Sequence, residues 1–235
     1  MLIKTRGIVF KTIKYGETSV IADVFTEELG LRKYIFNGVR SKKPTVKPGL
    51  LQLMSLVDLL VYDKNGVSLQ RVKEISPTLI FSGIPFDLIK SSIGLFILEL
   101  SRKILKQTDA QPVIFHFLFE TFKSLDHWEG SLSNFHLDFL VGFSSILGFR
   151  PHFSVKDLNC EYFDFREGVF TSQIPGHLDY LKGEEAKIFF KMLNGHSFFS
   201  RIERQNLVDY FIRYFELQTD SLLNIQSHLI FREIL

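Results

Sequence analysis

The sequence predicts an α+β fold in which a five-stranded β-barrel is followed by a mostly α-helical domain. The first eighty residues contain short β-branched and apolar runs that are separated by turn signals. After Ser76-Pro77 the spacing of apolar residues changes from two to about 3.6. The charge changes as well, because the first eighty residues hold thirteen Lys and Arg against seven Asp and Glu, and the remainder holds fifteen against nineteen.

The first eighty residues are predicted to form five short strands. These are 2–13, 20–25, 31–37, 51–62 and 67–75. Gly16 supplies the backbone freedom of the first hairpin, and Asn65-Gly66 is a strong signal for the last one. In the third strand, Leu31, Lys33 and Ile35 alternate with Arg32, Tyr34 and Phe36. Five short antiparallel strands indicate an OB-type barrel, a fold that often binds oligonucleotides, so we assign residues 1–80 to a nucleic-acid-binding domain.

Residues 81–235 are predicted to form the helical domain. Apolar stripes at helical spacing and capping signals indicate six helices, over 87–106, from Pro112 onward, from the N-cap Asn134 to Gly148, and over 184–193, 202–217 and 227–235. An irregular insert covers about 152–183, with strand-like pieces at 162–165 and 169–171. The sequence has a single cysteine, Cys160, which lies in this insert. A single cysteine rules out an intramolecular disulfide and fits a reducing compartment.

The charge of the barrel predicts a nucleic-acid interface. Residues 1–80 have a net charge of +6, and a basic β-module binds a polyanion through phosphate neutralisation and counterion release. The candidate DNA-binding residues are Lys11, Lys14, Arg32, Lys33, Tyr34, Arg40, Lys42, Lys43 and Lys47. Two alternatives stay open at this point. The basic loop can be solvated charge alone, and Tyr34 and Phe36 can either stack on bases or line the apolar interior.

The sequence contains no pattern that indicates catalysis. The serines lie in no nucleophile elbow, and the glycines form no phosphate-binding loop. His152, Cys160 and His177 offer at most three widely spaced ligands, whereas a structural zinc needs four at close spacing. We therefore expect a non-enzymatic protein without a metal or cofactor. Because neither a signal peptide nor a membrane-spanning run is recognisable, we expect a cytoplasmic location and no membrane partner.

Several segments resemble the RecO family of recombinational DNA repair proteins. The resemblance is carried by TIKYGETS at 12–19, TEELGL at 26–31, GVRS at 38–41, LGFRP at 147–151 and SHLIFREIL at 227–235. These segments extend over essentially the whole chain in the family's order. The resemblance implies an N-terminal OB-fold, a helical domain and no enzymatic activity. One departure is that many members carry four zinc-binding cysteines where this chain has only Cys160, so we expect aromatic packing to hold that segment.

The family resemblance also implies the partners. Members bind single- and double-stranded DNA and anneal complementary strands, which implies association with the nucleoid. With RecR they help a recombinase to replace single-strand binding protein on DNA, and they bind the acidic C-terminal tail of single-strand binding protein. Candidates for the tail site, chosen by helical placement only, are Arg102, Lys103, Lys106, Arg201 and Arg204.

A second class of function remains open. A non-enzymatic adaptor would use the basic barrel to bind an acidic protein partner, with the helical domain as its main docking surface. The salt dependence of oligonucleotide binding separates this alternative from DNA binding.

Overall fold

The computed structural model describes residues 1–44, 46–64, 66–105, 109–154 and 160–234. The chain divides into two compact units, Met1–Glu129 and Gly130–Leu235. Among the described residues, the first unit contains a barrel and two α-helices, and the second contains four α-helices and a small sheet. Within the described ranges, no helix has the length and apolar character needed to cross a bilayer.

The barrel of the first unit is closed and has five strands. They are β1 (Leu2–Tyr15), β2 (Ser19–Thr26), β3 (Gly30–Phe36), β4 (Leu56–Tyr62) and β5 (Leu69–Leu79). The order around the barrel is β1-β2-β3-β5-β4, and β3 runs parallel to β5 while the other pairs are antiparallel. A closed five-stranded barrel followed by helices confirms the predicted fold class.

Alternating side chains of the strands fill the interior of the barrel. Tyr34 and Phe36 are 0% and 1% exposed and belong to one apolar cluster with Val9, Val24 and the inward side chains of β4. Gly7 is required for close packing here, because a Cβ at this position would lie 2.6 Å from the Cγ1 atom of Val24. The two aromatic rings of β3 therefore lie inside the barrel.

Two strand boundaries differ from the predicted ones by about four residues or more, and the others agree within about two residues. The run 51–62 is interrupted, because Met54 adopts a positive φ of 70° and its N–H donates to the carbonyl of Val9 at 2.9 Å. This contact lies beside a bulge in β1, and β4 begins only at Leu56. In contrast, β5 continues past Pro77, which is tolerated where the β4–β5 register shifts. Asn65 of the predicted turn lies outside the described residues.

Two helices complete the first unit. They are α1 (Leu88–Ile104) and α2 (Pro112–His127). Phe115 of α2 packs against Phe25 with 5.9 Å between ring centroids. The guanidinium of Arg6 lies 4.8 Å from the centre of the Phe119 ring and forms an ion pair with Glu27 at 2.7 Å. Because these contacts join α2 to the barrel, the compact unit extends beyond the predicted boundary at residue 80.

Asp126 at the end of α2 anchors the segment that leaves the barrel. Its buried carboxylate accepts hydrogen bonds from the backbone N–H groups of Ser82 (3.0 Å), Gly83 (2.8 Å) and Ile84 (2.7 Å). Burial alone would raise the pKa of Asp126, but these hydrogen bonds outweigh burial and hold the pKa below its ordinary value. The connection between barrel and helices is thus fixed by a charged acceptor.

The second unit consists of α3 (Phe135–Ile146), β6 (Tyr162–Asp164), β7 (Val169–Thr171), β8 (Tyr180–Lys182), α4 (Glu184–Leu193), α5 (Arg201–Thr219) and α6 (His228–Ile234). Only β8 has no predicted counterpart. A capping box begins α5, since Ser200 and Glu203 each accept a hydrogen bond from the other's backbone N–H. Lys106 and Leu235, the ends of two predicted helices, lie outside the described residues.

Aromatic packing forms the centre of the second unit. The ring of Phe163 is fully buried and lies 4.7 Å from each of the rings of Phe170 and Phe189. Phe165 and Tyr214 also contact this ring, at 5.7 and 6.0 Å. The short sheet β7-β6-β8 is therefore held by large apolar rings, as expected for the insert.

Candidate nucleic-acid interface

Two predicted residues, Lys11 and Lys33, flank Asp23 on the outer surface of the barrel. Lys11 of β1 is opposite Asp23 of β2, and Asp23 is opposite Lys33 of β3. Cross-strand partners project on the same side of a sheet, and both lysines are exposed. We call Lys11, Asp23 and Lys33 the charged row.

An apolar row runs alongside the charged row. Ile13, Ile21 and Ile35 are opposite one another on β1, β2 and β3, and Ile13 is 48% exposed. Arg71 of β5 extends this row because it is opposite Ile35. Together the two rows give the β1–β2–β3 face apolar side chains bordered by cations, which suits a ligand with flat bases and charged phosphates.

Two other predicted cations do not belong to the β1–β2–β3 face. Lys14 is opposite Val20 and Arg32 is opposite Val24, and both valines point into the barrel. Lys14 is exposed because it lies near the end of the β1–β2 hairpin, whereas Arg32 is half-buried. Because side chains alternate in direction along a strand, Lys14 and Arg32 do not project from the face that carries Lys11 and Lys33.

The basic loop between β3 and β4 contributes a second group of cations. Arg40, Lys42, Lys43 and Lys47 are all exposed. The N–H of Arg40 donates to the carbonyl of Thr18 at 2.9 Å, which holds the start of the loop against the β1–β2 turn. Because Lys14 precedes that turn, Lys14 and Arg40 share one end of the barrel.

The prediction that Tyr34 contacts DNA is wrong. Its side chain is 0% exposed, so the ring is not accessible to a nucleobase. The same burial raises the pKa of the Tyr34 hydroxyl to about 12. Tyr15 and Tyr62 are 52% and 39% exposed and are the tyrosines of the barrel that can meet a ligand. The register identifies Tyr62 as the neighbour of Arg71. Sequence reasoning missed Tyr62 and Arg71 because the parallel pairing of β3 with β5 was not known.

Most of the candidate cations are not neutralised by nearby carboxylates. Among the described residues, the ion pairs of the barrel involve only Arg6, Lys73 and Arg102. Arg6 is committed to Glu27, and the hydrogen bonds of this pair raise the pKa of Arg6 and lower that of Glu27. The cations of the charged row and of the basic loop are therefore available to an external anion.

The residues proposed for the partner tail have different surroundings. In the first unit, Arg102 lies 3.9 Å from Asp23, and Lys103 is exposed on the last turn of α1. In the second unit, Arg201 donates to the carbonyl of Arg232 and Arg204 donates to that of Phe199 at 2.7 Å. Lys106 lies outside the described residues. The tail site stays a prediction.

The candidate zinc ligands lie in ordinary polar contacts. The thiol of Cys160 is 3.7 Å from the hydroxyl of Ser172, and Nε2 of His177 is 3.2 Å from Asp164. His152 pairs through its backbone with the β7 strand. In the part of the chain that the structure describes, no three His, Cys, Asp or Glu side chains are grouped so that they could hold a metal ion.

The fold and the surface define a protein with an OB-type barrel and a following helical part, and comparison with known proteins assigns it to a family. Residues 1–81 match the family described as Recombination protein O N terminal, and residues 85–186 match Recombination protein O C terminal. The DNA repair protein RecO of Bacteroides fragilis is 38% identical over 189 residues, which are 79% of this chain and 77% of that protein.

Two further relatives extend this finding. The DNA repair protein RecO of Phocaeicola vulgatus is 36% identical over 186 residues, 79% of this chain and 77% of that protein. The protein of the same name from Flavobacterium johnsoniae is 30% identical over 240 residues, covering 100% of this chain and 99% of the relative. The chain belongs to the RecO family of DNA repair proteins.

Proposed function

We propose that the protein is a non-enzymatic recombination mediator that binds single- and double-stranded DNA through its barrel and anneals complementary strands. The observation that carries this proposal is the outward-facing row of Lys11 and Lys33 beside the apolar row of the β1–β2–β3 face. Cations on this face would bind phosphates, and the isoleucines and Tyr62 would contact bases.

Annealing follows from the same charges. Two complementary strands repel each other through their phosphates, and a dense cationic surface reduces this repulsion while both strands are bound. The exposed loop cations Arg40, Lys42, Lys43 and Lys47 would hold one backbone, and the charged row would hold the other. The proposal requires no catalytic group.

The family relationship supplies the proposed partners. We propose that the protein acts with RecR at DNA coated by single-strand binding protein, whose acidic tail it would bind, and that it works at the nucleoid. In this role it would help to load the recombinase. Binding of labelled tail peptide to variants of Arg102, Lys103, Lys106, Arg201 and Arg204 would identify the tail site or remove all five residues from it.

The experiment that tests DNA binding is a titration of a fluorescent single-stranded oligonucleotide at several salt concentrations. We expect micromolar or tighter affinity and a steep linear fall of log K with log salt, because each neutralised phosphate releases counterion. Annealing of complementary oligonucleotides is measured in parallel, with and without their coating protein. Absence of binding at low salt would contradict the proposal.

A loop variant tests the contribution of the basic loop. Replacing Arg40, Lys42, Lys43 and Lys47 together by Ala should weaken DNA affinity on the order of a hundredfold near 0.1 M salt. The reason is that four phosphate contacts are lost, and each contact on a single strand contributes about 0.7 to the slope of log K against log salt. The matched control replaces four exposed lysines elsewhere, namely Lys123, Lys182, Lys187 and Lys191. An equal loss in both variants would mean that only total charge matters.

One observation favours the adaptor alternative. A groove of about 470 Å³ in the first unit is lined mainly by apolar side chains, including Leu53, Ile80 and Ile84, and Lys47 is the charged residue in its lining. An apolar groove with a cation at its rim can accept an apolar side chain next to a carboxylate. The adaptor function predicts binding of acidic peptides without binding of oligonucleotides.

A further inference from the structure

Asp23 is a carboxylate at the centre of the proposed DNA-binding face. It lies between Lys11 and Lys33 in the strand register. Its side chain is 19% exposed, and Oδ2 lies 3.9 Å from Nε of Arg102, which reaches this surface from α1. One negative charge thus sits among three positive ones on a surface that would receive phosphates.

The ion pair with Arg102 does not explain why an acid is placed here. At 3.9 Å the pair with Arg102 is longer than a hydrogen bond, and the Arg102 side chain is 38% exposed. Ion pairs that are this long and partly exposed contribute little to folding stability. The Arg6–Glu27 pair of the same barrel is different, because it has two hydrogen bonds of 2.8 and 2.7 Å.

A phosphate bound across the charged row would be close to the Asp23 carboxylate. Two like charges about 5 Å apart in a water-like medium repel by slightly less than 1 kcal/mol. The same carboxylate partly neutralises Arg102. Both effects weaken the attraction between this face and a strand, and both end when the charge of Asp23 is removed.

We propose that Asp23 limits the affinity of the barrel for DNA and so speeds the release of a bound strand. This inference rests on the proposed function and adds a residue that opposes binding to those that promote it. A protein that anneals strands must let the duplex go after it forms. A carboxylate inside the cationic face lowers the affinity at the point of contact without lowering the attraction of the basic loop.

The test compares Asp23→Asn with the wild-type protein. Asparagine keeps the size of the side chain and removes its charge. We expect the affinity for a fluorescent single-stranded oligonucleotide to rise about three- to fivefold near 0.1 M salt, and dissociation into excess unlabelled competitor to slow by a similar factor. The salt slope should steepen by about 0.7 if Arg102 gains a phosphate contact.

The matched control is Glu74→Gln, which makes the same change in net charge. Glu74 is an exposed acid of β5 that lies 3.6 Å from Lys73 and opposite Leu60, outside the charged row. Because Glu74 lies outside the charged row, its charge should act more weakly than that of Asp23 on a strand bound across that row, since salt at 0.1 M screens charges over about 10 Å. The affinity of this variant should therefore stay within about 1.5-fold of wild type.

A second variant separates repulsion of phosphate from the freeing of Arg102. In an Arg102→Gln background, Asp23→Asn should still increase affinity, because Lys11 and Lys33 remain beside it. Unchanged or weaker binding by Asp23→Asn, or an equal gain in Glu74→Gln, would overturn the inference while leaving DNA binding intact. If neither the wild type nor Asp23→Asn binds the oligonucleotide, the proposed function and this inference fail together.

Discussion

The outer face of the barrel and the small sheet of the second unit use the same residue types in opposite ways. On the barrel, Arg40 and Arg71 are exposed and, among the described residues, have no carboxylate partner. Around the small sheet, Arg166 and Arg213 both bind Asp179, at 2.7 and 2.6 Å. Cations of the first kind are available to an external anion, and those of the second kind support the fold.

The aromatic rings show the same division. Tyr15 and Tyr62 are exposed on the barrel, whereas Phe163 and Phe189 are fully buried in the second unit. A buried ring contributes packing energy, and an exposed ring contributes to binding only when a ligand covers it. The type of residue alone therefore does not decide its function, and its partners have to be known.

The largest expected effect is on the packing of the second unit. Phe163→Ala removes a fully buried ring that touches Phe170 and Phe189 at 4.7 Å, so the free energy of unfolding of this unit should fall by about 3–5 kcal/mol. Denaturant unfolding measures it. The control is Phe198→Ala in the same unit, where the ring is 85% exposed, and its effect should stay within about 0.5 kcal/mol. Similar losses in both variants would contradict the role of this aromatic cluster.

Much of this fold can be predicted from the sequence because local patterns determine it. The helical stripes and the predicted N-cap at Asn134 place helices close to their observed ends, and the change of period at residue 77 marks the end of the barrel. The errors lie where tertiary contacts decide. Met54 leaves the strand because its N–H bonds to Val9, a contact between distant parts of the chain.

The candidate interface could be predicted only in part. Charge counts identify the barrel and the basic loop, and strand alternation places Lys33 opposite in direction to Arg32. Lys33 and Tyr34 project from opposite sides of β3, but the sequence does not show which side faces the core, because the partner strands of β3 cannot be identified from it. Once β5 is placed beside β3, Tyr34 becomes a core residue and Arg71 joins the outer face.

A smaller effect is expected from the exposed tyrosines of the barrel. Replacing Tyr15 and Tyr62 together by Ala should weaken binding of a single-stranded oligonucleotide by about 1–3 kcal/mol, the usual contribution of a stacked base. Stability should change little, because both rings are exposed. The control replaces both tyrosines by Phe, which keeps the ring and should keep the affinity. If the Ala variant binds as tightly as wild type, these rings do not stack on bases.

The smallest effects are expected for two arginines. One substitution should change only DNA affinity, and the other should change only stability. Arg71→Ala should lower DNA affinity about threefold without changing stability. Arg213→Ala should leave DNA affinity unchanged and cost about 1 kcal/mol of stability at neutral pH, a modest value because its side chain is 45% exposed and screened by solvent.

The acid dependence of stability identifies the Arg213 effect. Hydrogen bonds from Arg213 and Arg166 hold the pKa of Asp179 below its ordinary value. A lowered pKa contributes stability above the unfolded-state pKa, and that stability is lost as the pH falls through the folded-state pKa. Arg213→Ala should raise the pKa of Asp179 toward the ordinary value and flatten the loss of stability in acid, measured by denaturant unfolding from pH 6 downward. An unchanged acid profile, together with weaker DNA binding by Arg213→Ala, would show that the cations of the two regions do not differ in function.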